Sequence, residues 1–151
     1  LADKEAIVRA AAAGVLEALG QYGPAAHVEK LLHLEMKLIE DRVFSVRSAA
    51  ASAIGITLVV AFESSSQKKG AGKGKKAGAP PPTSSKEPVV KDWTVNAALD
   101  FVNTSFLKAT ATNRRELRAG ISQATIVYLQ KLPKTVIRTY IQVIITRLLE
   151  L

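Results

Sequence analysis

Two histidines, several neighbouring carboxylates, a stretch rich in lysine and glycine, and a cluster of arginines are the residues of this chain that could carry chemistry. His27 and His33 lie six residues apart, about 600° of helical rotation, which leaves them roughly a third of a turn out of line and unable to ligate one metal from a single helix face. Each reads as a helix-surface histidine. Glu29 with Glu35, and Glu40 with Asp41, have no sign of an enclosing pocket around them and read as solvated charges. Gly70, Gly72 and Gly74 alternate with Lys73, Lys75 and Lys76, but the spacing departs from Gly-x-x-x-x-Gly-Lys-Ser/Thr and no strand precedes it. The chain has no cysteine, which removes thiolate zinc sites, cysteine nucleophiles and disulfides. These residues assemble no catalytic centre, metal site or cofactor site, and the expectation is a non-enzymatic protein without a small-molecule substrate.

The arginines point toward binding. Arg114 and Arg118 are four residues apart and share a helix face, and with Arg115 they form the strongest basic cluster outside the lysine-rich stretch. The carbonyls and carboxylates of their own turn are the first groups they would meet, and an acidic protein partner is the functional alternative. Lys68, Lys69, Lys73, Lys75 and Lys76 are the other candidate contacts to an acidic partner, or to an anionic membrane through weak electrostatic attraction. The net charge of +8 is unevenly spread: residues 63–91 hold seven Lys against two Glu, and the rest of the chain holds 14 basic against 11 acidic groups. A basic excess confined to one polar stretch without interleaved aromatics argues against specific nucleic-acid binding. Trp93, the sole tryptophan, reads as a packing residue at a helix start.

The elements that would position these groups are helical throughout. Val28, Leu31, Leu32, Leu38 and Ile39 share one face while Glu29, Lys30, His33, Lys37 and Glu40 share the other, and Val136, Ile137, Tyr140, Ile141, Ile144, Ile145 and Leu148 repeat the spacing. Gly20 and Gly23 read as breaks after a first helix, Pro24 and Pro133 as helix starts, Asp92 as an N-cap, and Asn113 with Glu116 as a capping box. The spacing predicts an all-α protein of six helices, at 4–20, 24–40, 42–62, 93–109, 113–131 and 134–150. The nearly apolar run from Ala49 to Phe62 is 14 residues, shorter than the roughly 20 that cross a bilayer, and reads as a buried helix. Residues 63–91, rich in Lys, Gly, Pro and Ser, bury too little apolar surface to order and are expected to form a disordered insertion between segments 1–62 and 92–151 of one domain. The opening Leu1-Ala2-Asp3-Lys4-Glu5 lacks both an initiator methionine and the apolar core of a signal peptide, as an internal fragment would.

Internal repetition is the strongest signal. Asp3-Lys4-Glu5-Ala6-Ile7-Val8-Arg9-Ala10-Ala11-Ala12 recurs 38 residues later as Asp41-Arg42-Val43-Phe44-Ser45-Val46-Arg47-Ser48-Ala49-Ala50, and Leu117-Arg118-Ala119-Gly120-Ile121 is a third copy in which Thr112 takes the Asp position. A period near 40 is that of HEAT or armadillo repeats, antiparallel helix pairs stacked into an α-solenoid. Asp would end the turn and cap the second helix of a pair, Val would enter the core, and Arg would reach back to the turn. Asp3, Arg9, Asp41, Arg47 and Arg118 are therefore expected to form a structural ladder.

Three blocks carry a resemblance to a family: Asp3 to Ala12, Ser45 to Gly55, and Asn113 to Ala124. In them the chain resembles the large HEAT-repeat accessory proteins of the trans-Golgi clathrin adaptor, the HEAT-repeat-containing family 5 of animals and the Laa type of yeast. The second and third blocks look like consecutive repeats in the N-terminal third of those proteins, separated there too by a variable insertion. The resemblance implies a cytoplasmic scaffold, peripherally associated with Golgi and endosomal vesicles, that binds the clathrin adaptor complex or its accessory subunits. It transfers no binding residue to a position of this chain.

Overall fold

The computed structural model describes residues 4–23, 27–70 and 93–149, with the side chains of 67–70, 147 and 148 left aside. Asp3, Pro24, Lys73, Lys75, Lys76 and Asp92 lie outside the described residues, as do most of the expected insertion. The described residues form an all-α bundle of six helices, with no strand among them. The helices are α1 (Ala6–Tyr22), α2 (Val28–Leu38), α3 (Phe44–Gly70), α4 (Val95–Ala111), α5 (Arg115–Lys131) and α6 (Lys134–Leu149).

At 27 residues α3 is the longest helix, and it is central. It packs against α1 on one side and α5 on the other, and also against α2; α4 rests on α5, and α6 on α4. Helices covered on several sides need apolar residues all round, and α3 supplies them with Val46, Ala50, Ala51, Ala53, Ile54, Leu58, Val59 and Ala61, all buried. By length and composition its span Phe44–Ser66 could cross a membrane, which counting the uninterrupted apolar run alone had not suggested. Ser and Thr extend the stretch at little cost in hydropathy, and in this fold its buried side contacts other helices.

Two glycines let the helices around α3 approach closely. A Cβ on Gly20 would lie 2.2 Å from Thr57 Oγ1, and one on Gly55 would lie 2.6 Å from Val127 Cγ1. Gly20 is thus a contact point inside α1 rather than the break expected of it, because the space above it is filled by α3.

Three further expectations change. Asn113 does not open α5: its φ of 52° places it in the left-handed region, and it closes α4. The Asn113 N–H donates to Thr110 O at 3.1 Å and the Arg114 N–H to Ala109 O at 2.9 Å, the pair of bonds that defines a Schellman motif. Asn tolerates that backbone region better than most side-chain-bearing residues. The cap of α4 is Thr94, whose hydroxyl accepts from the Ala97 N–H at 3.2 Å. Residues 63–70, assigned to the insertion, instead continue α3. Once a helix is nucleated, each added residue costs little, and the end of α3 gains a tertiary contact, since Ser65 Oγ accepts from the Trp93 N–H at 2.9 Å. Trp93 is buried and meets Phe101 edge-on at 6.1 Å between ring centroids.

Candidate functional site

Several charged residues singled out in the sequence gather at the α2–α3 turn, which meets the start of α1 through Arg9 and Asp41 and the α4–α5 turn through Glu40 and Arg114. Asp41 is the pivot. Its Oδ2 accepts from Arg9 Nε at 2.6 Å and its Oδ1 from Arg9 Nη2 at 3.1 Å, a two-pronged pair joining α1 to the turn before α3 across 32 residues. Oδ1 also accepts from the Val43 N–H at 2.9 Å, which shapes the first turn of α3. The Arg9 guanidinium beside it, then that backbone N–H, hold the Asp41 carboxyl below its ordinary value.

Arg9 and Arg47 make matching local bonds. Arg9 Nη1 donates to Lys4 O and Arg47 Nη1 to Arg42 O, each at 2.8 Å and each five residues back. Arg47 Nη1 also donates to Asp41 O at 2.8 Å, and its guanidinium carbon sits 5.9 Å from the Phe44 ring centroid. The third copy departs from the pattern. Thr112 cannot offer a carboxylate, its hydroxyl donates to Lys108 O, and among the described residues Arg118 makes no hydrogen bond or ion pair of the kind Arg9 makes. The link between the second and third copies is instead Arg114 Nη1 to Glu40 Oε1 at 2.7 Å. Arg114 thus reaches the neighbouring turn, 74 residues away, rather than its own. Gln123 Nε2 adds a bond to Ser48 Oγ at 2.9 Å between α5 and α3.

Beside that ion pair lies an open hollow of about 530 Å³ lined by Glu40, Arg42, Arg114, Glu116 and Leu117. Arg42 and Arg115 are exposed, and Arg118 is half-buried. Fixed guanidinium and carboxylate groups at an open edge suit recognition of a charged peptide surface; they include no nucleophile paired with a base. His27 precedes the first residue of α2 and His33 lies on its outer face, both exposed. Among the described residues, no group of three or more His, Asp or Glu is placed to hold a metal ion.

No family model, curated protein or solved structure matches the chain.

Sequence reasoning missed several residues here. Arg42 lines the hollow, and Glu40 pairs with Arg114; both flank Asp41, the residue the repeat had marked. Glu35 was assigned to solvent with Glu29, yet it is wholly buried. Its place between Leu31, Leu32, Leu38 and Ile39 is the signal that could have found it, because those four residues define the buried face of α2. The Tyr128 hydroxyl is also buried, without a partner among the described residues, and burial pushes its ionisation well above the ordinary range.

Lys68 and Lys69 lie in the last turn of α3, where only the backbone is described. The structure does not bring them to the arginine edge as a described site.

Proposed function

We propose that this chain is a non-catalytic, protein-binding segment of a HEAT-type helical-repeat scaffold. The observation that carries the proposal is the Arg9–Asp41 pair: the Arg of the first sequence copy bonds to the Asp of the second, which ties successive copies together as neighbours in a stacked array would be. The order of packing agrees, with α1, α3 and α5 as the equivalent helices of successive repeats. Ile7, Val15, Leu19 and Tyr22 on α1, and Tyr140, Ile141, Ile145 and Leu149 on α6, are exposed, as faces of an array that accept a neighbouring repeat would be.

The resemblance to the clathrin-adaptor accessory proteins extends the proposal to a partner, the adaptor complex or its accessory subunits, in the cytoplasm at Golgi and endosomal vesicles. Arg42, Arg114 and Arg115 would meet acidic side chains of that partner, and Lys68, Lys69, Lys73, Lys75 and Lys76 would add a weak attraction to anionic membrane.

Binding of the purified adaptor complex to the wild-type chain and to an Arg42→Glu, Arg115→Glu variant tests this directly. Saturable binding weakened tenfold or more by the charge reversals is expected. Binding to neither, alongside retention of nucleic acid that persists at moderate salt, would refute the scaffold assignment.

A further inference from the structure

The place where α1, α2 and α3 meet holds a buried acid that the turn edge does not use. Glu35 projects from the apolar face of α2 and is 0% exposed. A carboxylate in that position loses its hydration and needs either a cation or several donors to remain ionised. Among the described residues it has one donor: Thr57 Oγ1 gives its proton to Glu35 Oε1 at 2.8 Å, and no described group bonds to Oε2.

Thr57 could have been satisfied at home. Thr125, the other buried threonine among the described residues, donates to Ile121 O within its own helix at 2.9 Å. Thr57 instead spans from α3 to α2, and Gly20 of α1 closes over the same hydroxyl with no room for a Cβ. Three helices thus converge on one hydrogen bond.

The charges that face it oppose ionisation. From α1 the field of Glu17 bears on Glu35 and is repulsive; from α3 the facing group is the neutral Thr57 hydroxyl; among the described residues no cation bears on it. We infer that Glu35 and Thr57 form a protonation-dependent latch: the neutral carboxyl lets α1 and α2 close on α3, and its ionisation loosens that junction while α4, α5 and α6 stay packed.

The direction follows from linkage. Burial first, and Glu17 in addition, raise the carboxyl from its ordinary 4.5 to about 7, against the lowering effect of Thr57. Between those two values the folded chain holds a proton that the unfolded chain has released, so stability falls as pH rises through that window and stays low above it. The firmness of the α1–α2 corner therefore varies between about pH 4.5 and 7, on the acid side of neutrality.

Chemical denaturation at pH 5.5 and 8.5, with hydrogen exchange read helix by helix, tests the latch in the wild-type chain and in Glu35→Gln. The wild-type unfolding constant should rise roughly thirtyfold more than that of Glu35→Gln over this interval, with faster exchange confined to α1, α2 and the facing part of α3. Equal pH dependence in the two proteins, or exchange accelerated equally in α5 and α6, would overturn the proposal. Should Glu35→Gln fail to fold, Thr57→Val keeps the acid and removes its donor. The pH midpoint of the wild-type transition should then move upward, and an unmoved midpoint would equally overturn it.

Discussion

The two sides of α3 are closed by the same sequence device and finished by different chemistry. Toward α1, Gly20 admits Thr57, and the turn edge is tied by Arg9 and Asp41, whose side chains are 16% and 12% exposed. Toward α5, Gly55 admits Val127, and the edge is tied by Arg114 and Glu40, whose side chains are 54% and 41% exposed. Close approach through a residue without a side chain is common to both junctions. The polar tie is not, because the third repeat copy has Thr112 where the second has Asp41. Close helix packing is shared by the two junctions, and the ion pair at each edge is made by different residues.

The most severe way to break the comparison is to charge the junction core. Ile54 is 1% exposed and lies among Met36, Ile39, Phe101 and Ile121, so Ile54→Asp should cost about 4 kcal/mol or more and unfold the chain. Lys37→Asp, on the exposed face of α2, should leave the melting temperature within a few degrees. Equal melting temperatures for the two would mean that the core is misassigned.

Next come the glycines. Gly55→Ala forces a Cβ to within 2.6 Å of Val127 and 3.0 Å of the Tyr128 backbone nitrogen, and should cost roughly 2–3 kcal/mol by denaturant titration. Gly14→Ala, with nothing within 4 Å of its Cβ, should instead stabilise by about 0.5–1 kcal/mol through helix propensity. The contrast sharpens if Gly20→Ala falls between them, since the atom it meets first is the Thr57 hydroxyl rather than backbone.

The polar ties should differ by less. Arg9→Ala should destabilise by about 1 kcal/mol, because Asp41 loses two bonds at a half-buried site, whereas Arg114→Ala should change stability by no more than about 0.5 kcal/mol at its exposed pair. Asp41 also fixes a sign. Its carboxyl is held below the ordinary 3.8 in the folded chain, so the stability it adds is present above that value and is lost as pH falls through the depressed one. Arg9→Ala should flatten that acid limb in unfolding curves taken from pH 5 down to 2.

The smallest effect is expected at Tyr128. Its buried hydroxyl bonds to no described protein group, so Tyr128→Phe should be nearly neutral or slightly stabilising, by less than about 0.5 kcal/mol, in thermal melts.

Helix number, the buried face of α2 and the burial of α3 were legible because each follows from the spacing of apolar residues alone. The repeat marks the position of Asp41, while its bond to Arg9 across 32 residues was not legible. Gly20 and Asn113 were not legible either, for one reason: a glycine or asparagine near a helix end fits a break, a cap or a contact equally well, and the choice depends on the neighbouring helix. The length of α3 was underestimated because Ser64, Ser65 and Ser66 read as a loop by composition, while the bond from Trp93 to Ser65 depends on a residue 28 positions away. The Arg114–Glu40 tie spans 74 positions, so no local pattern announces it. Val8, expected in the core beside Val46, is half-exposed because no described element covers that side of α1.

Disulfide trapping tests the central claim, the row of α1, α3 and α5, most directly, and a chain without native cysteine suits it. A Cβ on Gly20 lies 3.3 Å from Thr57 Cβ, and a Cβ on Gly55 lies 2.8 Å from Val127 Cβ, both shorter than the roughly 3.5–4.5 Å a disulfide spans, so each helix pair has to part by less than about 1 Å to form the bond. The pairs Gly20→Cys with Thr57→Cys and Gly55→Cys with Val127→Cys should each oxidise rapidly within one chain and keep its helical content, while Gly20→Cys with Val127→Cys, on helices separated by α3, should remain reduced. Rapid intramolecular oxidation of that third pair, or failure of the first two in folded protein, would contradict the row.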